Sequence, residues 1–263
     1  MVVENRAGGA GAPALEAGAR APADGYTLIA GTSGTLGVNP SVLPRVPYDA
    51  EKDFAPITNV AMVPLIVIAH PSLPQNTMQD LAAAARARPG ALDMASAGPA
   101  TSQHMAAELL MLRANIRFNI VHYRGSGPAI ADVIAGNVKL MTDSVASALP
   151  HIREGRVKPI AVRSLRRVPQ LPDVPTIAET LVPGYQAAGW TGLVARAATP
   201  TAILHRINAD VVGILREPAI ARRILEMGAV PDPMSPEEFA AFISREIATF
   251  REVARAANVR LEG

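Results

Sequence analysis

ALDMASAGPATSQHMAAELL, residues 91–110, contains a complete structural unit in twenty letters. Residues 92–95 predict a short strand. The next seven, Ser96-Ala97-Gly98-Pro99-Ala100-Thr101-Ser102, are small or polar, and a helix-forming run follows. A strand, a small-residue loop and a helix make a β-α unit, with the loop at the strand's carboxyl end. The same order recurs three times. Residues 26–30 lead into Gly31-Thr32-Ser33-Gly34-Thr35. Residues 119–122 lead into Tyr123-Arg124-Gly125-Ser126-Gly127-Pro128. Residues 138–141 lead into Thr142-Asp143-Ser144-Val145-Ala146-Ser147. Further strands are predicted over 2–4, 56–60, 65–69, 159–162 and 192–195, with helices filling the gaps. This alternation predicts an α/β protein with parallel sheets covered by helices.

Two helix boundaries are written plainly. A helix over 78–88 stops at Pro89-Gly90, where Pro cannot continue it and Gly accepts the turn. The last helix starts with Ser235 as N-cap, Pro236 at the first position, and Glu237 and Glu238 in the first turn. Phe239, Phe242, Ile243, Ile247, Phe250 and Val253 then recur at three- and four-residue spacing, which makes one apolar face. The short apolar strands 65–69 and 192–195 bracket a central block. The chain is therefore expected to cross into a second lobe and return.

Composition narrows the function classes. Of 263 residues, 49% are hydrophobic and 18% charged, which supports a packed core. The absence of cysteine excludes disulfides, thiolate catalysis and thiolate metal sites. The formal net charge is +2, the basic residues are scattered, and aromatics are few. Nucleic-acid binding needs a basic, aromatic surface that this chain lacks. The longest apolar run, 60–69, contains Pro64 and is too short to cross a bilayer, so no membrane insertion is expected. The first residues show no charged segment followed by an apolar one, as a secretory leader would.

The four loops carry the chemistry. In open parallel sheets, ligands bind at the carboxyl ends of the strands. Small residues let backbone approach closely, and free N–H groups at helix N-termini favour an anion. Each loop taken alone also reads as an ordinary turn with capping Ser and Thr. Together they point to a small, polar, anionic ligand that needs no dedicated arginine. Catalytic equipment is sparse. Ser33 and Ser126 lack the glycines of a nucleophile elbow. His70, His104, His122, His151 and His205 are dispersed. His104 and Glu108, four apart, share a helix face, which reads as a local hydrogen bond or core histidine rather than a metal pair. Asp143 reads equally as a functional carboxylate or a loop cap. Arg124 is an anion partner or a solvated arginine, and Trp190 is packing or a cleft wall. At the start, Val2-Val3 runs into Gly8, Gly9 and Gly11 and a helix over 12–21. The spacing is not G-x-G-x-x-G and no G-K-[ST] follows, so a nucleotide site does not follow from it.

Several segments taken together resemble one family. They are Val2-Val3-Glu4-Asn5-Arg6, Asp24-Gly25-Tyr26-Thr27-Leu28, Pro47-Tyr48-Asp49 with Asp53-Phe54-Ala55-Pro56-Ile57, and His70-Pro71-Ser72-Leu73-Pro74. Further on are Ala95-Ser96-Ala97-Gly98 with Thr101 and His104, Tyr123-Arg124-Gly125-Ser126-Gly127-Pro128-Ala129, and Ser147-Ala148-Leu149-Pro150-His151-Ile152. The set closes with Leu171-Pro172-Asp173-Val174-Pro175-Thr176 and Pro183-Gly184-Tyr185. This resembles the Bug-type, or TctC-like, solute receptors of the tripartite tricarboxylate transporter family.

The resemblance implies a two-lobed periplasmic binding protein fold. Each lobe has a central sheet flanked by helices, with a ligand cleft between them. The lobes are expected at 1–63 plus 193–263 and at 64–192. It implies a non-enzymatic, periplasmic receptor for a small carboxylate, without cofactor or metal, that delivers its ligand to membrane transporter subunits. Carried over by position, Thr32 and Ser33 face the ligand from the first lobe. Ser96, Gly98, Thr101 and Ser102 face it from the second, with Tyr123, Gly125, Asp143 and Trp190 lining the cleft. Two departures stand out. Residue 1 matches the start of the family's second strand, so a leader and one β-α unit are expected to be missing, with lower stability and weaker binding. Ala100 stands where the family often has Gly. Two other readings stay open. One is a carboxylate sensor or remnant without a transporter. The other is an α/β hydrolase, which would need Ser33 or Ser126 set against a histidine.

Overall fold

The computed structural model of the protein describes residues 2–6 and 9–260. In chain order these form α1 (Ala12–Ala19), β1 (Ile29–Thr32), a π-helical segment (Ser33–Val38), α2 (Asn39–Val42), β2 (Phe54–Val63), β3 (Leu65–Ala69), α3 (Met78–Ala87) and β4 (Asp93–Ser96). There follow α4 (Ser102–Ala114), β5 (Asn119–His122), α5 (Ser126–Ala135), β6 (Leu140–Ser144), α6 (Val145–Arg153) and β7 (Lys158–Val162). The last are α7 (Ile177–Thr180), β8 (Gly189–Arg196), α8 (Thr201–Leu215), α9 (Pro218–Glu226), β9 (Val230–Pro231) and α10 (Pro236–Ala256). Two compact units result. The first takes the residues up to Met62, Gly189–Ile224 and those from Pro231 on; the second takes Val63–Ala188 and Leu225–Val230.

The first unit has a four-stranded sheet in the order β1-β8-β2-β9, with β1 and β8 antiparallel. Gly31 stands directly opposite Gly192. A Cβ on Gly31 would meet Leu36 at 2.3 Å, and one on Gly192 would meet Phe239 at 2.3 Å and the Thr58 carbonyl oxygen at 2.8 Å. The paired glycines therefore let the π-helical segment and α10 settle onto the sheet. Trp190, Gly192 and Val194 share a face of β8, because side chains alternate along a strand. The core there joins Leu15, Ile29, Leu36, Phe54, Trp190, Val194, Phe239 and Phe242. The α10 cap forms as its residues predict. Ser235 Oγ accepts from Glu238 N–H at 3.1 Å, and the Glu238 carboxylate accepts from Ser235 N–H at 2.8 Å. The predicted apolar stripe from Phe239 to Val253 is buried.

The second unit has a five-stranded sheet in the order β5-β4-β6-β3-β7. β4 runs parallel to β5 and β6, whereas β3 runs antiparallel to β6 and β7. The expectation of parallel sheets is thus corrected. β4, β5, β6 and β7 share one direction, but β3 opposes them and β1 opposes β8. Alternating pattern reports that a helix separates two strands, not which way each strand runs. All five residues of β3 are buried, which explains its uninterrupted apolar sequence.

Other expectations change at their edges. Residues 2–6 form no strand: Val2 and Val3 are exposed and pair with nothing among the described residues. β-branching favours extended backbone, but a strand exists only with a ladder partner. Gly8 lies outside the described residues. β1 starts at Ile29, leaving Tyr26 exposed, and β6 runs on to Ser144, so Thr142 and Asp143 are strand residues.

Candidate functional site

In the second unit the carboxyl ends of β5, β4 and β6 lie side by side. Ser96 is level with His122, and Ala95 with Met141. From β4 the chain goes through α4 to β5, on one side. From β6 it goes through α6 to β7, on the other. The connections diverge between β4 and β6, and such a divergence opens a crevice above the strand ends. Three helices, α4, α5 and α6, begin at this edge.

The loop before α4 is shaped by its own polar groups. The Gly98 carbonyl accepts from Ser96 Oγ at 3.3 Å and from Thr101 Oγ1 at 2.8 Å. Gly98 has φ 135°, and a Cβ there would press on the Tyr123 carbonyl oxygen at 3.2 Å. Thr101 is the N-cap of α4, its hydroxyl accepting from His104 N–H at 3.2 Å. The Ser102 hydroxyl donates to Gln103 at 3.1 Å. Ser96 and Thr101 therefore spend their hydroxyls on the loop itself. The first-turn N–H groups of Ser102 and Gln103 find no acceptor among the described residues. At α5, Gly125 is an N-cap with φ 124° and no side-chain cap. At α6, Ser144 Oγ accepts from Ser147 N–H at 3.2 Å.

Asp143 ties these elements together. It is fully buried, and its Oδ1 accepts from Ser126 Oγ at 2.7 Å and Ser144 N–H at 2.8 Å. Its Oδ2 is buried with no hydrogen-bond partner among the described residues, the Ser147 hydroxyl lying near the carboxylate. Burial pushes this carboxyl up, against the pull of the Ser147 and Ser126 hydroxyls, the Ser144 N–H and His151. Tyr123 donates its hydroxyl to Asp132 at 2.7 Å; burial first, then that carboxylate, push the phenol up to about 12. Ser126 faces Asp143, and no hydrogen bond joins Ser33 or Ser126 to a histidine among the described residues.

One residue of this region was missed in the sequence. Arg163 is fully buried, yet no carboxylate meets it among the described residues. Its Nη1 donates to the Ala106 carbonyl and the Tyr185 hydroxyl, both at 2.6 Å, and its Nη2 to Thr142 Oγ1 at 2.7 Å. A guanidinium stays charged. Through these bonds its positive charge is held against α4 and β6. The signal was an arginine directly following the buried run Ile160-Ala161-Val162. Arg166 and Arg167 follow within four residues, and sequence alone does not set Arg163 apart from them.

In the first unit, Thr32 and Thr35 close on each other. Thr32 Oγ1 accepts from Thr35 N–H at 3.1 Å, and Thr35 Oγ1 accepts from Thr32 N–H at 3.0 Å. Ser33 is buried at the start of the π-helical segment, and the Tyr48 hydroxyl donates to the Thr35 carbonyl. Trp190 lies on β8. It is 1% exposed, its ring packs edge-on against Phe239 and Phe242, and its Nε1 donates to Glu246 at 3.2 Å. Burial pushes the Glu246 carboxyl up to about 7. Within the second unit the structure brings Ser96, Gly98, Thr101, Ser102, Tyr123, Gly125 and Asp143 together; within the first it places Thr32 and Ser33 at the end of β1 and Trp190 in the core under α10. Among the described residues, no three His, Asp or Glu side chains gather as a metal site would require.

Comparison with known proteins adds the following. The sequence profile described as "Tripartite tricarboxylate transporter family receptor", TctC, matches residues 1–259. Protein BugT of Bordetella pertussis is 33% identical over 263 residues, covering 100% of this chain and 81% of that protein. The solved structure of R. palustris Rpa4515 with adipate superposes with a TM-score of 0.82 at 34% identity, covering 99% of this chain and 87% of that one. MatC (Rpa3494) from Rhodopseudomonas palustris, with bound malate, superposes with a TM-score of 0.74 at 32% identity, covering 94% and 85%.

Proposed function

The chain belongs to the tripartite tricarboxylate transporter receptor family, and from that premise we propose that it captures a small organic carboxylate and passes it to a membrane transporter. The observation that carries this reading is the edge where β5, β4 and β6 end. Three helix N-termini start there, the α4 amides of Ser102 and Gln103 find no acceptor among the described residues, and the buried Arg163 cation bonds the Ala106 carbonyl of the same helix. Aligned N–H groups and helix dipoles favour an anion, and a buried cation strengthens the preference. Backbone around Gly98 and Gly125 would admit the carboxylate, with Tyr123 and Asp143 holding the surrounding walls. Thr32 and Ser33 are proposed as ligand contacts at the first unit's own strand end, where β1 meets the π-helical segment. Adipate and malate in the two related structures support the ligand class. Among the described residues no helix is long and apolar enough to cross a membrane. The reading places the receptor outside the cytoplasm, working without cofactor and without catalysis.

A thermal melt against mono-, di- and tricarboxylates tests this, with amino acids and nucleotides as controls. A ligand present at 100 times its dissociation constant adds about 2.7 kcal/mol and moves the midpoint visibly. A shift confined to carboxylates is expected. A shift with nucleotides only, or with no carboxylate, overturns the reading.

A further inference from the structure

We propose that His104 is a positioning residue: its neutral ring holds the Gly98–Thr101 loop in the shape that presents the α4 amides to an anion. Ala100 has φ 54°, a left-handed conformation that L-residues seldom adopt. Its N–H donates to His104 Nδ1 at 2.9 Å. One turn along α4, Glu108 Oε1 lies 3.3 Å from His104 Nε2. Only one neutral tautomer satisfies both partners: Nδ1 accepts from Ala100 and Nε2–H donates to the carboxylate. The ring is 5% exposed and meets His122, at the end of β5, edge-on with centroids 4.5 Å apart. Glu108 on α4 and His122 on β5 are the titratable groups facing it. The same residue is gripped through its backbone, because Thr101 Oγ1 accepts the His104 N–H. His104 therefore fastens the loop twice, through Thr101 at the backbone and through Ala100 at the ring. Removing the Nδ1 acceptor leaves Ala100 free to leave the left-handed region. The peptides leading into Ser102 and Gln103 would turn with it.

The role in ligand binding rests on the receptor reading above; the role in loop geometry does not. Two substitutions separate the ring's two nitrogens. In His104→Asn the amide oxygen takes the place of Nδ1 and keeps the acceptor for Ala100. In His104→Gln the longer side chain reaches the Nε2 position and loses it. The wild-type imidazole nitrogen spectrum should show Nε2–H and an unprotonated Nδ1. Hydrogen exchange at the Ala100 amide should rise about tenfold in His104→Gln and stay within about threefold in His104→Asn. Adipate and malate, titrated calorimetrically, should bind about tenfold more weakly to His104→Gln and near normally to His104→Asn. Glycine tolerates the left-handed backbone, so adding Ala100→Gly to His104→Gln should recover most of the lost affinity.

A wild-type ring protonated on Nδ1 overturns the proposal even if neither variant folds. So does equal exchange in the two variants. Unequal exchange with equal affinities removes the role in binding and leaves only the role in the loop. If neither adipate nor malate binds the wild type in that titration and no carboxylate shifts its melt, the receptor reading falls, and the nitrogen spectrum and Ala100 exchange still decide what His104 does.

Discussion

Each unit sets ionisable groups against its core, and the two do opposite things with them. In the first unit Glu246, half-buried on α10, sits at the edge of the aromatic core and takes one hydrogen bond from the Trp190 indole. In the second, Arg163 takes three neutral partners and Asp143 two, on the sheet from which α4 starts with its Ser102 and Gln103 amides lacking an acceptor among the described residues. The first arrangement is set by close packing around small residues. The second is set by polar groups that leave backbone N–H groups unspent. A region of the first kind is sensitive to volume, and one of the second kind to charge.

Volume should produce the largest effect. Gly192→Ala puts a Cβ within 2.8 Å of a backbone oxygen, which cannot swing aside as a side chain can. We expect a loss of about 3 kcal/mol or more in chemical denaturation. A loss below about 1 kcal/mol would show that the β1–β8 face is looser than its glycine pair implies.

The pH dependence of stability comes next. Burial raises the Glu246 carboxyl from 4.5 to about 7, so the folded state holds a proton that the unfolded state releases. Its stabilising contribution is fully present below about pH 4.5 and is lost as pH rises through about 7. The swing is at most about 3 kcal/mol. Glu246→Gln keeps an acceptor for Trp190 and cannot ionise. Its melting midpoint should lie above that of the wild type at pH 8 and converge with it at pH 4.5. Parallel profiles for the two proteins would locate the titrating group elsewhere, and Asp143, raised by burial too, is the next to examine.

Charge gives the smallest change in stability and the sharpest separation of the two regions. Arg163→Met replaces a hydrogen-bonded cation by an apolar chain and should cost about 2 kcal/mol. A unit charge about 10 Å from an anion, at an effective dielectric near 20, is worth about tenfold in binding; if Arg163 acts over that range, affinity for adipate or malate falls by that order. Lost stability with unchanged affinity would make Arg163 a prop for α4 and β6 alone.

The local grammar was legible in the letters. Ser235, Pro236 and Glu238 announce their helix because the capping partners lie three residues apart. The stop at Pro89-Gly90 and the stripe from Phe239 to Val253 are equally short-range. The loop Ser96–Ser102 stood out because its residues are small and polar, and the ordered motifs pointed to the right family. The letters did not carry the direction of β3, the burial of Trp190 in a core, or the partners of Ser96 and Thr101. Nor did they carry the cationic core around Arg163, whose hydrogen-bond partners lie 57, 22 and 21 residues away. A cap or a turn is decided by atoms within a few bonds of each other, so sequence spacing suffices. Sheet direction, the partners of a buried charge and the left-handed turn at Ala100 depend on which segments meet in space, and only the packed tertiary structure sets that.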